Sequence, residues 1–273
     1  MKIGEALKQE RIRLGLTQEK MIHGIIDKGH YSRIERGLER ISADSLLKIL
    51  FMHYIDLDDF FDQVKDQYYS KDDLEAIKLN KDMMEILNEG NRDRGKKCLD
   101  KILKLDGHKI LKYRTIITIA MFEGQLDQLS QEFKNEIIKT FTEHSNWREN
   151  IDALRLLGNC MQIFSIDQLD DFLRQLLIHY SLNKSYPEKL IERLAMICNN
   201  YLYYCYYFHV DGSNVASCLN FLKNLDTRNH FIFYKISYNF YYYLFKGKKE
   251  EARKIKEQLI FWGYKSRVYS WKI

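Results

Sequence analysis

At 273 residues the chain is long enough for one large domain or two, and its 45% apolar content can fill a sizeable core. A single Pro and 13 Gly leave few breaks, which argues for helices joined by short loops. A net charge of +5 is too mild to establish a nucleic-acid partner by itself, and no apolar run approaches the ~18 residues of a membrane span. Five Cys, at 98, 160, 198, 205 and 218, form no paired spacing and read as reduced core thiols in a cytoplasm. The charge is unevenly spread. Residues 1–40 hold nine Lys or Arg against six Asp or Glu, and residues 41–70 hold two against six. Residues 246–273, with nine against three, read as a solvated terminal helix. The opening MKIGEALKQERIRL is amphipathic and lacks the apolar core of a signal peptide. Over 2–14, Ile3, Leu7 and Leu14 share one helical face with Ala6 beside them. Lys8, Arg11 and Arg13 point elsewhere, where phosphate contacts would fix register without reading sequence.

Residues 16–37, LTQEKMIHGIIDKGHYSRIERG, read as two short helices with a tight connection. Thr17 is a good N-cap, although Lys20 stands where a capping box wants Glu or Gln. Met21, Ile22, Ile25 and Ile26 give the first helix an apolar face, and Asp27-Lys28-Gly29 is expected to break it. His30 to Arg36 form the second helix, with Gly37 suited to its C′ position. Ile34, and Tyr31 at most, must face inward, so the polar remainder is free to touch something else. This is a helix-turn-helix layout, in which the second helix enters the major groove. A charged short helix is usually only a solvated face; here a cap, a Gly turn and an Arg-rich second helix coincide. The candidate DNA contacts are Arg11, Gln18, Lys28, His30, Tyr31, Ser32, Arg33 and Arg36. Gln18, Tyr31 and Ser32 are the base-edge candidates, and Arg36 is placed on phosphate.

Ser42 caps a fourth helix through about His53, and Asp56 caps a fifth, LDDFFDQV. The acidic run Asp56, Asp58, Asp59 and Asp62 suits a helix start; without a glycine turn or calcium-loop spacing it is not expected to hold a metal. Residues 66–73, DQYYSKDD, lack apolar periodicity. The first domain is therefore taken as 1–65, the linker as 66–71 and the second domain as 72–273. From 72 onward the pattern is helical, with candidate helices at 72–89, 93–105, 108–123, 126–141, 148–164, 167–181, 187–209, 213–225, 229–246 and 248–262. Asp72, Ser165 or Asp167, Pro187 and Ser213 mark starts, and Gly107, Gly124, Gly212 and Gly247 punctuate joints. Alternate helices start ~35–40 residues apart, near the tetratricopeptide period, without its sequence signature. The expected fold is all-α: a five-helix helix-turn-helix domain, then a tetratricopeptide-like superhelix of about five helical hairpins.

LTQEKM followed by YSRIERG resembles the repressor-type helix-turn-helix of the Xre class, and with the helices that follow the chain resembles Rgg/MutR-type regulators. The resemblance is carried by residues 1–65 and is looser beyond. It implies a cytoplasmic transcription regulator that responds to a short signalling peptide, as in quorum sensing. A repressor-type domain normally acts as a dimer on half-sites about one turn, ~34 Å, apart.

No enzyme chemistry is expected. Gly90 to Lys96 fits GxxxxGK by letter, but Lys97 stands where magnesium needs Ser or Thr, and a helical pattern precedes it where a P-loop needs a strand. The eight His (23, 30, 53, 108, 144, 179, 209 and 230) show no HxxxH or HExxH spacing. Cys198 and Cys205 lie seven apart on one helix face and read as small core hydrophobes. No cofactor, metal or catalytic group is assigned.

Helix spacing offers one pointer to a ligand. Arg148, Asp152, Arg155, Asn159 and Gln162 share a face of 148–164; Glu188, Glu192, Asn199 and Tyr203 make a stripe on 187–209; Lys235, Asn239 and Tyr242 make one on 229–246, with Arg228 just before. Amphipathic helices usually turn such stripes to bulk water. The last two helices are dense in aromatics, however, and a helix apolar nearly all round is interior to an array, so its few amides and cations need partners. An extended peptide would supply them. The candidate peptide contacts are Arg155, Asn159, Asn199, Tyr203, Lys235, Asn239 and Tyr242. That the partner is an apolar signalling peptide follows from the family resemblance. The competing readings are a helix-turn-helix regulator without a peptide ligand, and a helical protein-interaction scaffold.

Overall fold

The computed structural model describes residues 1–89, 91–143, 146–181 and 186–273; Gly90 of the GxxxxGK letters and His144 lie outside the described residues. Every regular element among them is helical. The chain divides into two compact units, Met1–Lys78 and Leu79–Ile273.

The first unit holds α1 (Ile3–Arg13), α2 (Gln18–Ile22), α3 (Lys28–Glu35), α4 (Ala43–Met52) and α5 (Leu57–Val64). Four of the five begin on a short polar side chain that accepts a hydrogen bond from the N–H three residues on: Thr17 from Lys20, Asp27 from His30, Ser42 from Ser45 and Asp56 from Asp59. Asp27 was expected to end the first helix of the motif, and the structure corrects this. The helix stops earlier, at Ile22, because His23 and Gly24 take left-handed backbone (φ 42° and 82°). Asp27 starts the next helix instead, its carboxylate taking the His30 N–H at 2.8 Å, and Lys28 and Gly29 become the first turn of α3. Gly37 follows the α3 C-cap at φ 70°, as expected.

Leu7, Met21, Tyr31, Ile34, Ile49, Leu50 and Phe60 form the core of this unit. α1 and α3 approach so closely that a Cβ on Gly4 would stand 1.8 Å from the Ile34 carbonyl oxygen. No side chain fits there, so Gly4 fixes how deeply α3 seats against α1.

A long helix, α6 (Lys71–Glu89), runs across the division between the units. The second unit continues with α7 (Arg92–Lys104), α8 (Lys109–Glu123), α9 (Gln131–Thr142), α10 (Ile151–Asn159), α11 (Ile166–Ser181), α12 (Glu188–Tyr207), α13 (Val215–Lys223), α14 (Ile232–Phe245), α15 (Lys249–Phe261) and α16 (Lys265–Val268). The ten helices expected from periodicity are present, with three corrections. The fourth begins at Gln131, where Ser130 supplies the cap, and Leu126–Gln128 is a separate 3₁₀ turn. The fifth is broken: Trp147–Glu149 and Met161–Ile163 are single 3₁₀ turns around a short α10. It ends at Asn159, where Cys160 leaves helical backbone (φ −118°, ψ 21°) and its thiol joins its own N–H on the Leu156 carbonyl, at 2.7 and 3.0 Å. Finally, the basic C-terminal stretch is not all solvated. Past α15 the chain folds back and buries Val268 and Trp271, with the Trp271 ring stacked on Phe240 at 4.1 Å.

Within this unit α8, α10, α12 and α14 contact one another in succession as one layer, with α7, α13 and α15 packed on α8, α12 and α14 respectively. Gly158 permits the close α10–α12 approach; its Cβ would lie 2.7 Å from the Met196 methyl. A buried polar network ties α11 to α12 and to the start of α13. Tyr201 donates to Asp170, the Ser213 N–H donates to the second Asp170 oxygen at 2.8 Å, and the Asn214 N–H donates to the Tyr201 hydroxyl at 3.1 Å. Burial raises the Asp170 carboxyl, but these hydrogen bonds outweigh it and hold the group below its usual range. All five Cys are free and buried.

Candidate functional site

The first candidate site is the outer face of α3. Its inner face carries Tyr31, Ile34 and Glu35, all buried. Glu35 is the anchor. Its carboxylate accepts from Arg11 Nε at 2.6 Å, from Arg11 Nη2 at 3.1 Å and from Gln18 Nε2 at 2.9 Å, and Arg11 Nη1 also reaches the Leu16 carbonyl at 3.0 Å. One residue from each of α1, α2 and α3 is thereby locked together. Burial pulls the Glu35 carboxyl up, yet the bonds from Arg11 and Gln18 hold it below the usual carboxylate range. The hydrogen bond to Glu35 in turn raises Arg11.

This network reassigns three of the candidate DNA contacts. Arg11 keeps 16% of its side chain exposed and spends its fork on Glu35; Gln18 spends its amide there too; Tyr31 is 0% exposed. All three position α3. No base-edge role is open to Tyr31, because its ring is wholly in the core. The other five stand on the accessible side. Lys28 and Arg36 are exposed, and His30, Ser32 and Arg33 are half-exposed. Lys28 pairs with Glu19 at 2.7 Å, and Arg36 Nε reaches back to the Ser32 carbonyl at 3.2 Å. Glu39, just past α3, holds Arg33 through one oxygen at 2.6 Å and His30 through the other at 3.2 Å. Sequence reasoning missed Glu39 and Glu35. Both act on residues far along the chain or across a turn, a pairing that periodicity does not encode.

The second candidate site is a cleft of about 430 Å³ in the second unit, within the size range of small-ligand pockets. Thr118 of α8, Gly158 and Asn159 of α10, and Asn199, Asn200 and Tyr203 of α12 line one side. Phe233 and Tyr241 of the α14 segment and Arg267 and Trp271 of the C-terminal segment close the other. Asn200 Nδ2 donates to the Gly158 carbonyl at 2.9 Å, and Asn159 Nδ2 donates to the Arg155 carbonyl at 2.5 Å. The Asn199 carbonyl oxygen is buried and has no hydrogen-bond partner among the described residues. The lining is rich in aromatics, and the Tyr203 ring stacks on Tyr207 at 5.3 Å.

Of the seven candidate peptide contacts, Asn159, Asn199 and Tyr203 line this cleft, and Arg155 sits one turn before Asn159 on α10. The other three do not line it. Lys235 caps the end of α13, donating to the carbonyls of Lys223 and Leu225; Asn239 bonds back to the Lys235 carbonyl; Tyr242 lies among Tyr238 and Tyr243. Their shared helical face is real, but Lys235 and Asn239 are satisfied locally and Tyr242 is partly exposed. The stripe on 148–164 also fails as one face, because the 3₁₀ turns interrupt it; Asn159 and Gln162 still reach the cleft, whereas Arg148 donates to Gln175. The residues missed, Arg267, Ser270 and Trp271, come from the tail that folds back. A larger cleft of about 830 Å³ beside α11, α12 and α13 carries Arg228, but this cation is already paired with Asp226 and Glu188, so the space presents no comparable unmet charge.

No sequence-family profile matches the chain, and no curated protein sequence matches it. Solved structures do. A protein from Listeria monocytogenes EGD-e assigned as a transcriptional regulator superposes with TM-score 0.74 at 20% identity, covering 98% of this chain and 94% of that one. The SHP pheromone receptor Rgg2 of Streptococcus dysgalactiae gives 0.68 at 18% identity, covering 98% and 97%. PrgX in its complex with cCF10 gives 0.68 at 15%, covering 99% and 98%. Among the described residues no helix is long and apolar enough to cross a membrane. The chain thus has the fold shared by a transcriptional regulator, the pheromone receptor Rgg2 and PrgX.

Proposed function

We propose that the chain is a sequence-specific DNA-binding transcriptional regulator, acting in the cytoplasm as a homodimer, whose output is set by a short apolar peptide held in the 430 Å³ cleft. One observation carries the DNA assignment. The cationic residues Lys28, Arg33 and Arg36, with His30 beside them, stand on the accessible side of a helix whose opposite face is fixed in place by Tyr31, Ile34 and the Arg11–Glu35–Gln18 network. A helix held that firmly yet left polar and cationic outside is suited to enter a groove. Arg33 and Arg36 then contact guanine edges or phosphate, and Ser32 and His30 lie beside them.

The peptide assignment is supported by the unmatched Asn199 oxygen in an aromatic cleft, since a buried acceptor without a partner costs ~1–3 kcal/mol and an extended backbone N–H would satisfy it. It is supported too by the fold, which a pheromone receptor and a PrgX–cCF10 complex share. The peptide sets output only if it binds one conformation of the chain more tightly than another. Residues 1–65 would carry DNA reading, 66–71 the linkage, and 72–273 dimerisation and peptide binding.

The test is a gel shift of the full chain on genomic fragments at two salt concentrations. A regulator retards discrete fragments and loses affinity steeply with salt. A protein-interaction scaffold retards none, and that outcome would remove the assignment.

A further inference from the structure

α15 buries Ala252 and Leu259 on its inner face and ends where Gly263 turns left-handed at φ 89° and the Tyr264 N–H closes on the Leu259 carbonyl at 2.8 Å. Beyond this turn the chain is pinned again by the buried Val268 and Trp271, and Lys256 of α15 donates to the Trp271 carbonyl at 2.5 Å. Between the two anchors every residue from Ile260 to Arg267 is exposed. Four aromatic side chains stand in water at this turn: Phe261 is 82% exposed, Trp262 57%, Tyr264 52% and Tyr269 69%. None of the four stacks on another ring among the described residues. The segment is fastened at both ends, so the rings are presented by ordered backbone and not by a loose tail. At about 200 Å² for each aromatic side chain, these fractions leave roughly 500 Å² of aromatic surface exposed within a few residues of one turn. Single apolar side chains on a surface need no explanation, but a concentration of this size marks a contact.

We propose that the α15–α16 turn is the surface through which two copies of this chain associate, with a two-fold axis passing close to Phe261. This deepens the homodimer reading, by giving it a surface, and rests on it. Two observations choose a second copy as the occupant. The first is area. A stable homodimer takes about 800 Å² from each partner, roughly two-thirds of it apolar, and the exposed rings supply that apolar share. The second is charge. Glu257, one turn before Phe261, and Lys265, four residues after it, are both exposed, and neither forms an ion pair among the described residues. A two-fold contact sets residue i of one copy against j of the other, and j against i. With Phe261 at the axis, positions equally spaced before and after it meet, so Glu257 of each copy faces Lys265 of the other. One acid and one base thus make two ion pairs by symmetry, whereas a polyanion docked on the same rings would leave Glu257 opposed.

Sedimentation equilibrium of the full chain measures the dimer dissociation constant. Phe261→Ser is expected to raise it roughly thirtyfold or more, as the loss of a central aromatic anchor does. Glu257→Lys and Lys265→Glu, each of which sets like charges together twice, are expected to raise it roughly five- to tenfold, and the two changes combined to return it to within about twofold of wild type. All three side chains are exposed, so Tm and dichroism are expected to hold in every variant. Iodide quenching gives an independent reading. Trp147 and Trp271 are 2% and 3% exposed, so the quencher reaches Trp262. Trp262 is expected to be shielded in the wild-type dimer and quenched in Phe261→Ser at the same concentration. A wild-type dimer whose strength none of these changes alters, or whose Trp262 quenches as fully as in a monomer, overturns the surface and leaves the homodimer reading standing. Failure of the double charge exchange to restore what each single exchange loses overturns the two-fold pairing. A wild-type chain that stays monomeric at every concentration overturns the homodimer reading and the surface together.

Discussion

Replacing Glu35 by Ala removes the acceptor for both Arg11 and Gln18 and leaves a largely buried guanidinium without its counter-ion. Breaking a fully buried pair in this way costs about 3–5 kcal/mol. Arg11 keeps 16% exposure against 3% for Glu35, so some water reaches the orphaned cation and the lower figure, about 3 kcal/mol, applies. With a urea dependence of about 1–3 kcal/mol per molar for a small unit, the midpoint falls by about 1–3 M. The sequence supplies a way to see this in one unit alone. All three Trp, at 147, 262 and 271, lie in the second unit, so tryptophan fluorescence follows that unit while far-UV circular dichroism follows both. Glu35→Ala is expected to move the first unit's transition, seen by dichroism as the early one in the variant, and leave the fluorescence transition in place. The paired change Arg11→Met with Glu35→Leu, which removes both charges, is expected to recover most of the loss. A dichroism curve unchanged by Glu35→Ala would show that the network does not hold α3.

Three further outcomes follow from the same geometry. Tyr201→Phe deletes the hydroxyl shared by Asp170 and the Asn214 N–H and is expected to cost about 1–3 kcal/mol, read in the fluorescence transition and not in the early one. Glu35 and Asp170 both sit below their ordinary values in the folded chain, so their stabilisation is present above the unfolded carboxyl range and is lost as pH falls through the depressed folded values. Acid titration of wild type against Glu35→Gln should show the first unit's transition with a weaker pH dependence below about pH 4.5, the ordinary glutamate value, in the variant, the remainder coming from Glu19 and Asp27, which are also held low. Glu39→Gln releases Arg33 and His30 from a shared carboxylate and removes one negative charge beside the reading helix. Anisotropy on random duplex should show roughly a two- to fivefold gain in non-specific affinity, and a loss would place Glu39 among the DNA contacts instead.

Local signals in this chain were easy to read, and long-range polar pairings were not. Thr17, Ser42 and Asp56 cap the helices they precede because an N-cap needs only the next three residues to act. Asp27 is equally good as a turn residue and as a cap; α2 ends earlier, at the left-handed His23 and Gly24, Ile25 and Ile26 pack on the core in the connection, and Asp27 is left to cap α3. The inward role of Arg11, Gln18 and Glu35 depends on contacts 17 and 24 residues apart, so amphipathic spacing marks all three as surface. In the second unit the same limit appears twice. Asn199, on an aromatic helix, was legible as a polar group in need of a partner. The half-buried Arg114, whose Nε has no partner among the described residues, was not, because α8 has almost no amphipathic contrast to draw attention to it. Trp271 was hidden by the basic residues around it, which stay exposed on α15 while the tail beyond turns inward.

The account depends most on α3 meeting DNA with the cations that its anchored face leaves outside. The direct measurement is fluorescence anisotropy of a retarded genomic fragment titrated with wild type and with Arg33→Ala/Arg36→Ala, at matched salt and with dichroism recorded for both. Loss of at least roughly tenfold in affinity, a shallower salt slope and an unchanged dichroism spectrum are the predicted result. Equal affinity of the two proteins, both folded, would contradict it.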